Sequence, residues 1–240
     1  MKLVVFGANG ATGRLLTKQA LVEGYSVTAV TRHPETFPLR QERLLVMRGD
    51  VFELAAVEQA VCGQDTVLSI LGVPYSQKPI TLYSIGIAHI IQAMNHYQVR
   101  RLICVSSSAV DPLTRNHDTG GGFIFEKFIK PLIINIIGRS SYDDLQKMEM
   151  LVMNSDLDWT VIRPSGLFET PEVTDYQVAE AFIVRFTSRT DLADCMLKQI
   201  TNKQSLHKTL AVATVSAQPN TFQLIMKEAF QSSSHAASKG

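Results

Sequence analysis

Cysteine is scarce in this chain of 240 residues, and its three cysteines, Cys62, Cys104 and Cys195, stand far apart. Their spacing offers neither the paired cysteines of a zinc site nor the even count of a disulfide framework. We therefore expect no metal site. A reducing cytoplasm is the simplest location for such a chain.

Long apolar runs and an excess of charge of one sign are also missing. No run reaches the roughly 18 residues of a membrane span, and the apolar run over residues 1–6 is too short for the core of a signal peptide. The formal net charge is +1, so no overall field attracts nucleic acid or an anionic membrane. We expect a cytoplasmic protein with no integral membrane segment and no nucleic-acid partner, in which a local site holds any anionic ligand.

The chain does contain a regular alternation of short β-branched runs and helical patterns. The pattern predicts strands over residues 3–6, 27–31, 44–47, 66–71, 102–105, 159–162 and 209–213, and helices over residues 12–23, 54–61, 81–97, 142–153, 191–200 and 221–230. Strands that are apolar on both faces and alternate with helices indicate a parallel sheet covered on both sides. With right-handed crossovers, this predicts an α/β fold with a doubly wound, Rossmann-type sheet.

A single domain is predicted over residues 1–230, followed by a flexible tail over residues 231–240 that is rich in Ser, Ala and Lys. Residues 164–230 are expected to complete the far edge of the sheet and to add a small C-terminal lobe on the substrate side. An insertion is predicted over residues 111–141, where apolar residues at helical spacing over 123–137 follow three glycines. It is interpreted as a lid over the substrate, as core packing or as a homo-oligomer contact.

A glycine-rich turn follows the first predicted strand directly. Gly7, Gly10 and Gly13 allow a tight turn and a close backbone approach, so that N–H groups at the start of the next helix can face a pyrophosphate. The spacing is G-x-x-G-x-x-G, whereas dehydrogenases commonly have G-x-G-x-x-G. The predicted phosphate-binding residues are Gly7, Asn9, Gly10, Ala11, Thr12 and Gly13. The alternative is an ordinary strand-to-helix turn.

The end of the second predicted strand favours one dinucleotide over the other. NAD sites usually have an acidic residue about 20 positions beyond the glycines, which binds the ribose 2′-hydroxyl. Here the strand ends in Thr31, Arg32 and His33. A guanidinium binds a 2′-phosphate through charge-assisted bonds, so the sequence predicts NADPH. The alternative is a solvated arginine at a strand end.

Several short motifs, taken together, resemble those of a known family. They are the glycine turn, Arg32, Gly49-Asp50-Val51, Ser69-Ile70-Leu71-Gly72, Val105-Ser106-Ser107-Ser108 and Asp158-Trp159-Thr160-Val161-Ile162-Arg163-Pro164. The chain resembles the atypical short-chain dehydrogenase/reductases of the NAD(P)H-binding, NmrA-like group. Within that group it is most similar to the NADPH-dependent flavin reductase, or biliverdin-IXβ reductase, branch. The resemblance covers residues 1–163 and thins out beyond them.

The resemblance implies further cofactor contacts, all at or just beyond the carboxyl ends of predicted strands. They are Asp50 and Val51 at the adenine, Leu71 and Gly72 on the ribose side, Ser106 and Ser107 at the nicotinamide, and Arg163 and Pro164 along the nicotinamide wall. Open α/β sheets bind their ligands at this edge. For the serines, the alternative is a polar strand exit before a turn.

The proton donor of ordinary short-chain dehydrogenases is missing. Their Tyr-x-x-x-Lys pair shares a helix face, whereas here Tyr142 is followed by Gln146 at that spacing and Lys147 comes one residue later. Gly166 stands where the flavin-reductase branch has a histidine. Ser107 is the one catalytic candidate. Asp143 and Asp144 are interpreted as part of a helix N-terminus, where carboxylates suit the dipole.

Three functions are compatible with these residues. The leading hypothesis is an NADPH-dependent oxidoreductase that passes hydride to a planar small-molecule acceptor of the flavin or quinone type. A flavin or quinone can take its proton from water or from Ser107, so a strong acid is not required. The second is a non-catalytic NADP(H)-binding regulator that reports redox state, as NmrA-like proteins do. The third is an epimerase- or dehydratase-like enzyme, whose relatives normally retain the tyrosine and lysine.

Overall fold

Strands and helices alternate along the chain in the computed structural model, which describes residues 1–73, 79–110, 139–181 and 186–217. The strands in these ranges are β1 (Lys2–Phe6), β2 (Ser26–Thr31), β3 (Leu44–Arg48), β4 (Thr66–Ser69), β5 (Arg101–Val105), β6 (Asp158–Pro164), β7 (Leu167–Phe168), β8 (Tyr176–Ala179), β9 (Thr187–Ser188) and β10 (Lys208–Thr214). The helices are α1 (Ala11–Val22), α2 (Leu54–Val61), α3 (Leu82–His96), α4 (Arg139–Met153) and α5 (Arg189–Gln199). Short 3₁₀ turns lie at Pro34–Thr36, Ser108–Val110 and Lys203–Ser205.

Eight of these strands form one sheet in the order β3-β2-β1-β4-β5-β6-β10-β8. Every neighbouring pair is parallel except β10 and β8, which are antiparallel. The order reverses between β1 and β4, which is the switch point where open α/β sheets bind ligands. The predicted doubly wound Rossmann-type fold is confirmed.

The first strand shows why its sequence forms the centre of this sheet. Successive side chains of a strand point to opposite faces. Val4 and Phe6 join a core cluster with residues of α2, α3 and α4, while Leu3 and Val5 join one with residues of α1 and α5. All four side chains are fully buried. An apolar run without alternation is therefore what a central strand covered on both faces requires.

The C-terminal part contributes more to the main sheet than the sequence indicates. The predicted strand over residues 209–213 is β10, which pairs with β6, and the predicted helix over residues 191–200 is α5, which packs against α1. The short strands β7, β8 and β9 were not predicted, because two to four residues are too few to show a period. The predicted helix over residues 221–230, the tail, and residues 111–138 of the insertion lie outside the described residues.

The two aspartates after Tyr142 do not form a helix N-terminus, so that interpretation is wrong. Helix α4 begins at Arg139 and has no acidic residue in its first turn. Asp144 instead caps α3: its Oδ2 accepts hydrogen bonds from the backbone N–H groups of Tyr83, at 2.8 Å, and Ser84, at 3.3 Å. The carboxylate suits a helix dipole, but it is the dipole of the neighbouring helix.

Candidate cofactor site

The glycine turn lies at the switch point, between β1 and α1. Gly7 has a φ of +83°, which favours glycine, and a Cβ there would lie 2.3 Å from the carbonyl oxygen of Ile70. The turn after β1 therefore passes directly against the segment that leaves β4. A Cβ on Gly13 would lie 2.2 Å from the carbonyl oxygen of Gly7, so Gly13 lets α1 start close beneath the turn.

Gly10 differs from the other two glycines, because the fold does not require it. It is the N-cap of α1 and has an ordinary extended φ of −69°. A Cβ there would lie 3.4 Å from the Gly7 carbonyl oxygen, which is an ordinary contact. No side chain caps α1 through Gly10, and the first turn of α1 contains no acidic residue. A missing side chain beside the positive end of a helix fits the close approach of an anionic ligand.

Asn9 connects this turn to the segment after β2. Its Nδ2 donates to Thr36 Oγ1 at 3.0 Å, and its Oδ1 accepts from Arg14 Nε at 3.0 Å. Thr36 Oγ1 in turn donates to the carbonyl oxygen of His33 at 2.9 Å. The Asn9 side chain thus fixes the position of the residues that follow Arg32 relative to the glycine turn.

Arg32 is exposed at the end of β2, and its guanidinium makes no hydrogen bond or ion pair with the part of the chain that the structure describes. Arg48 supports its backbone by donating to the Arg32 carbonyl oxygen at 2.8 Å, and it also pairs with Glu35 at 3.0 Å. The pKa of Glu35 is lowered by a hydrogen bond to its own backbone, with smaller contributions from His33 and Arg48. The sequence analysis missed Arg48, whose role depends on the pairing of β3 with β2.

The residues predicted at the adenine and ribose come together beside α3. A Cβ on Gly86 would lie 3.0 Å from Leu71 Cδ1 and 3.1 Å from Val51 Cγ2, so both side chains pack against this glycine. His89 Nδ1 bonds the Val51 carbonyl oxygen at 2.8 Å and fixes that loop. The other two predicted contacts are Asp50, whose Oδ1 accepts from the Phe52 N–H at 3.1 Å, and Gly72, which is exposed.

The two serines after β5 have different surroundings. Ser106 is 7% exposed, its N–H donates to the Ile162 carbonyl oxygen at 2.8 Å, and its Oγ has no partner among the described residues. A buried hydroxyl without a partner is uncommon, and a missing ligand is one explanation. Ser107 Oγ accepts a hydrogen bond from the Ala109 N–H at 3.2 Å. Ser107 therefore stabilises the 3₁₀ turn that follows.

Arg163 and Pro164 end strand β6. Arg163 forms a bidentate ion pair with Glu149 of α4, with Nε–Oε1 and Nη2–Oε2 distances of 2.9 and 2.6 Å. Glu149 is 3% exposed, so the pair is almost fully desolvated and fixes β6 to α4. Burial raises the pKa of the Cys104 thiol, and the charge of Glu149 raises it further. Cys104 therefore stays protonated and offers no nucleophile at this site.

The structure also explains two departures from the family pattern. Tyr142 is buried in the core, whereas Gln146 and Lys147 are exposed, so no tyrosine and lysine share a face of α4 there. A Cβ on Gly166 would lie 2.8 Å from Cδ1 of Phe186. The Phe186 ring thus occupies the space that a histidine side chain at position 166 would need.

One basic residue reaches the glycine turn from the far end of the chain. Arg189, the first residue of α5, donates from Nη1 to Thr12 Oγ1 at 3.2 Å. The sequence analysis missed this residue, because 177 positions separate it from Thr12 and no local motif marks it.

A family described as NAD(P)H-binding has a profile that matches residues 7–203, from the first glycine of the turn to the segment before β10. The chain belongs to this NAD(P)H-binding family. The residues at the switch point fit a dinucleotide, since Gly10 leaves room that the fold does not need and Ser106 has a buried hydroxyl without a partner.

Solved structures of similar fold include other Rossmann-type proteins. An oxidoreductase from Lactococcus lactis has a TM-score of 0.74 at 16% identity, with 95% of this chain and 96% of that chain covered. A short-chain dehydrogenase/reductase from Veillonella parvula, solved in complex with NADP, has a TM-score of 0.72 at 20% identity, covering 91% and 98%. ChuY, an anaerobillin reductase from Escherichia coli, has a TM-score of 0.71 at 20% identity, covering 92% and 100%.

The similar curated proteins are uncharacterized. A chloroplastic protein of Arabidopsis thaliana is 25% identical over 178 residues, which is 71% of this chain and 60% of that protein. A Mycobacterium tuberculosis protein is 31% identical over 108 residues, which is 45% of this chain and 12% of that protein. The match thus spans less than two thirds of either relative's length.

None of the helices in the described ranges is long and apolar enough to cross a membrane.

Proposed function

We propose that this protein is an NADPH-dependent oxidoreductase that transfers hydride to a planar small-molecule acceptor of the flavin or quinone type. The observation that carries the proposal is the glycine turn at the switch point, with Gly10 left open beside the positive end of α1. Membership of an NAD(P)H-binding family and an NADP complex of a similar fold support the choice of ligand.

Arg32 supports NADPH over NADH. Its guanidinium is exposed and makes no bond within the described residues, and its backbone is fixed through Arg48 and through the contact between Asn9 and Thr36. A cation that is held in place but uses none of its donors suits a 2′-phosphate, which accepts charge-assisted hydrogen bonds. A carboxylate at this position would instead suit a 2′-hydroxyl.

When bound, NADPH supplies the hydride, and the side chains at the end of β5 position the reacting groups. Ser106 has a buried Oγ that can bind the carboxamide of a nicotinamide placed against β5. Ser107 Oγ, which accepts from the Ala109 N–H, can also donate its proton to an acceptor oxygen or nitrogen, and water can restore it. An acceptor that is stabilised once reduced needs no stronger acid, which fits a flavin or quinone.

A non-catalytic NADP(H)-binding regulator is the second candidate. Buried Tyr142 and exposed Lys147 favour it, because α4 presents no tyrosine–lysine pair to a substrate. The two candidates share the cofactor site and differ in turnover.

Loss of NADPH absorbance in the presence of flavins, quinones or linear tetrapyrroles tests the proposal. We expect turnover with NADPH, slower turnover with NADH, and a loss of the NADPH preference in Arg32→Ala. Lys18→Ala is the matched control, because it removes an exposed cation elsewhere on α1. Tight NADPH binding without consumption by any acceptor contradicts the oxidoreductase and favours the regulator. An unchanged preference in Arg32→Ala contradicts the assignment of Arg32.

A further inference from the structure

Arg189 brings a positive charge to the glycine turn from the C-terminal half of the fold. It is the first residue of α5, and its Nη1 donates to Thr12 Oγ1 at 3.2 Å. Thr12 is the second residue of α1 and is almost fully buried beneath the glycine turn. The guanidinium therefore lies beside the backbone N–H groups that a pyrophosphate would approach.

The electrostatics of this position favour an anionic ligand. Arg189 stands at the N-terminus of its own helix and contacts the first turn of α1, and both helix ends favour negative charge. The first turn of α1 contains no acidic residue. Asp191, in the first turn of α5, uses its carboxylate oxygens to accept hydrogen bonds from Thr174 and Thr214. An arginine here adds to the positive potential of the turn, which helps an anion bind but does not favour the helices.

The backbone of Arg189 is held in place by its neighbours on both sides. Ser188 Oγ accepts from the N–H groups of Thr190 and Asp191 at 3.1 and 3.4 Å and so caps α5. Gln19 of α1 donates to the Thr190 carbonyl oxygen at 3.1 Å. Because α5 is fixed to α1 at this point, a ligand that binds the guanidinium has little backbone entropy to remove.

We propose that Arg189 binds the pyrophosphate of the dinucleotide from the side opposite the glycine turn. The phosphates are then held between the N–H groups at the start of α1 and a guanidinium from α5, with Thr12 Oγ1 orienting the latter. This inference rests on the proposed cofactor site and assigns different tasks to two arginines. Arg189 contacts a group common to NADH and NADPH, whereas Arg32 contacts the 2′-phosphate that only NADPH carries.

Calorimetric titration of Arg189→Met with NADPH, NADH and adenosine 2′-monophosphate tests this division. We expect about a tenfold to hundredfold loss of affinity for both dinucleotides, because one charge-assisted contact to the pyrophosphate is removed. The affinity for adenosine 2′-monophosphate, which has no pyrophosphate, should stay within about twofold. Arg32→Met should give the complementary result, with losses for NADPH and adenosine 2′-monophosphate and little change for NADH. Lys18→Met controls for the loss of one positive charge on α1.

Thermal melting without nucleotide separates binding from folding, and Arg189→Lys, which retains the charge, should recover part of the affinity. Unchanged dinucleotide affinity in Arg189→Met overturns the inference and leaves the proposed function intact. An equal loss for all three ligands also overturns it, since that pattern indicates damage to the whole site. If the unaltered protein binds neither dinucleotide, the proposed function itself is wrong.

Discussion

Replacing Gly10 by alanine separates what folding demands of the glycine turn from what a ligand demands. The backbone at Gly10 has a φ of −69°, which any residue adopts, and the new Cβ would lie 3.4 Å from the Gly7 carbonyl oxygen. Alanine is a poorer N-cap than glycine by about 1 kcal/mol, and the reduced entropy of the unfolded chain offsets about 0.4–1 kcal/mol. The free energy of unfolding should therefore change by less than about 1 kcal/mol.

The same methyl group should strongly weaken NADPH binding. It would stand where a pyrophosphate must approach the N–H groups at the start of α1, and losing one charge-assisted hydrogen bond costs about 1.5–3 kcal/mol. The dissociation constant should rise by roughly 10- to 150-fold.

Gly13→Ala is the matched comparison in the same turn. Its Cβ would lie 2.2 Å from the Gly7 carbonyl oxygen and 2.8 Å from backbone atoms of Ala8, so the backbone must shift. The free energy of unfolding should fall by about 1–3 kcal/mol or more, and the melting temperature by roughly 2–4 °C for each kcal/mol.

Urea unfolding without nucleotide and calorimetric titration with NADPH measure both effects on both variants. Gly10→Ala should unfold like the unaltered protein and bind NADPH weakly, whereas Gly13→Ala should be destabilised even without ligand. If Gly10→Ala binds NADPH as tightly as the unaltered protein, Gly10 does not mark the approach of a ligand and the reasoning fails. It fails equally if Gly10→Ala is as destabilised as Gly13→Ala.

Two further predictions concern groups away from the cofactor. The buried Arg101 guanidinium donates to the carbonyl oxygens of Gln199 and Ile200, so Arg101→Met should lower the free energy of unfolding by about 3 kcal/mol or more, with partial recovery in Arg101→Lys; a loss below about 1 kcal/mol in urea unfolding contradicts this. Burial and the hydrogen bond to Asp194 raise the pKa of Tyr176, so its stabilising effect is present below about pH 10 and is lost above it, where the unfolded chain ionises first. In folded protein near pH 11, the tyrosinate absorbance of Tyr176→Phe should equal that of the unaltered protein, and a smaller absorbance contradicts the assignment.

The parts of the fold that were predictable are those with a local pattern. Residues 3–6 and 102–105 are continuous apolar runs, and each forms a strand buried on both faces. The glycine turn was predictable because its conformational requirements lie within seven consecutive residues. The predicted helix over residues 12–23 differs from α1 by one position at each end, since caps set such boundaries only loosely.

The contacts that were not predictable join residues far apart in sequence. Asp144 caps α3 across 61 positions, and Arg189 reaches Thr12 across 177. The pairing of Glu149 with Arg163 depends on how α4 crosses β6. No local period encodes such pairs, because the packing of the helices on the sheet decides which side chains meet.

Calorimetric titration of the unaltered protein with NADPH, and then with NADH, tests the central claim most directly. We predict one NADPH site per chain, with NADH binding more weakly because it lacks the 2′-phosphate that Arg32 can bind. No measurable binding of either dinucleotide would contradict the cofactor site, and NADH binding as tightly as NADPH would contradict the role of Arg32.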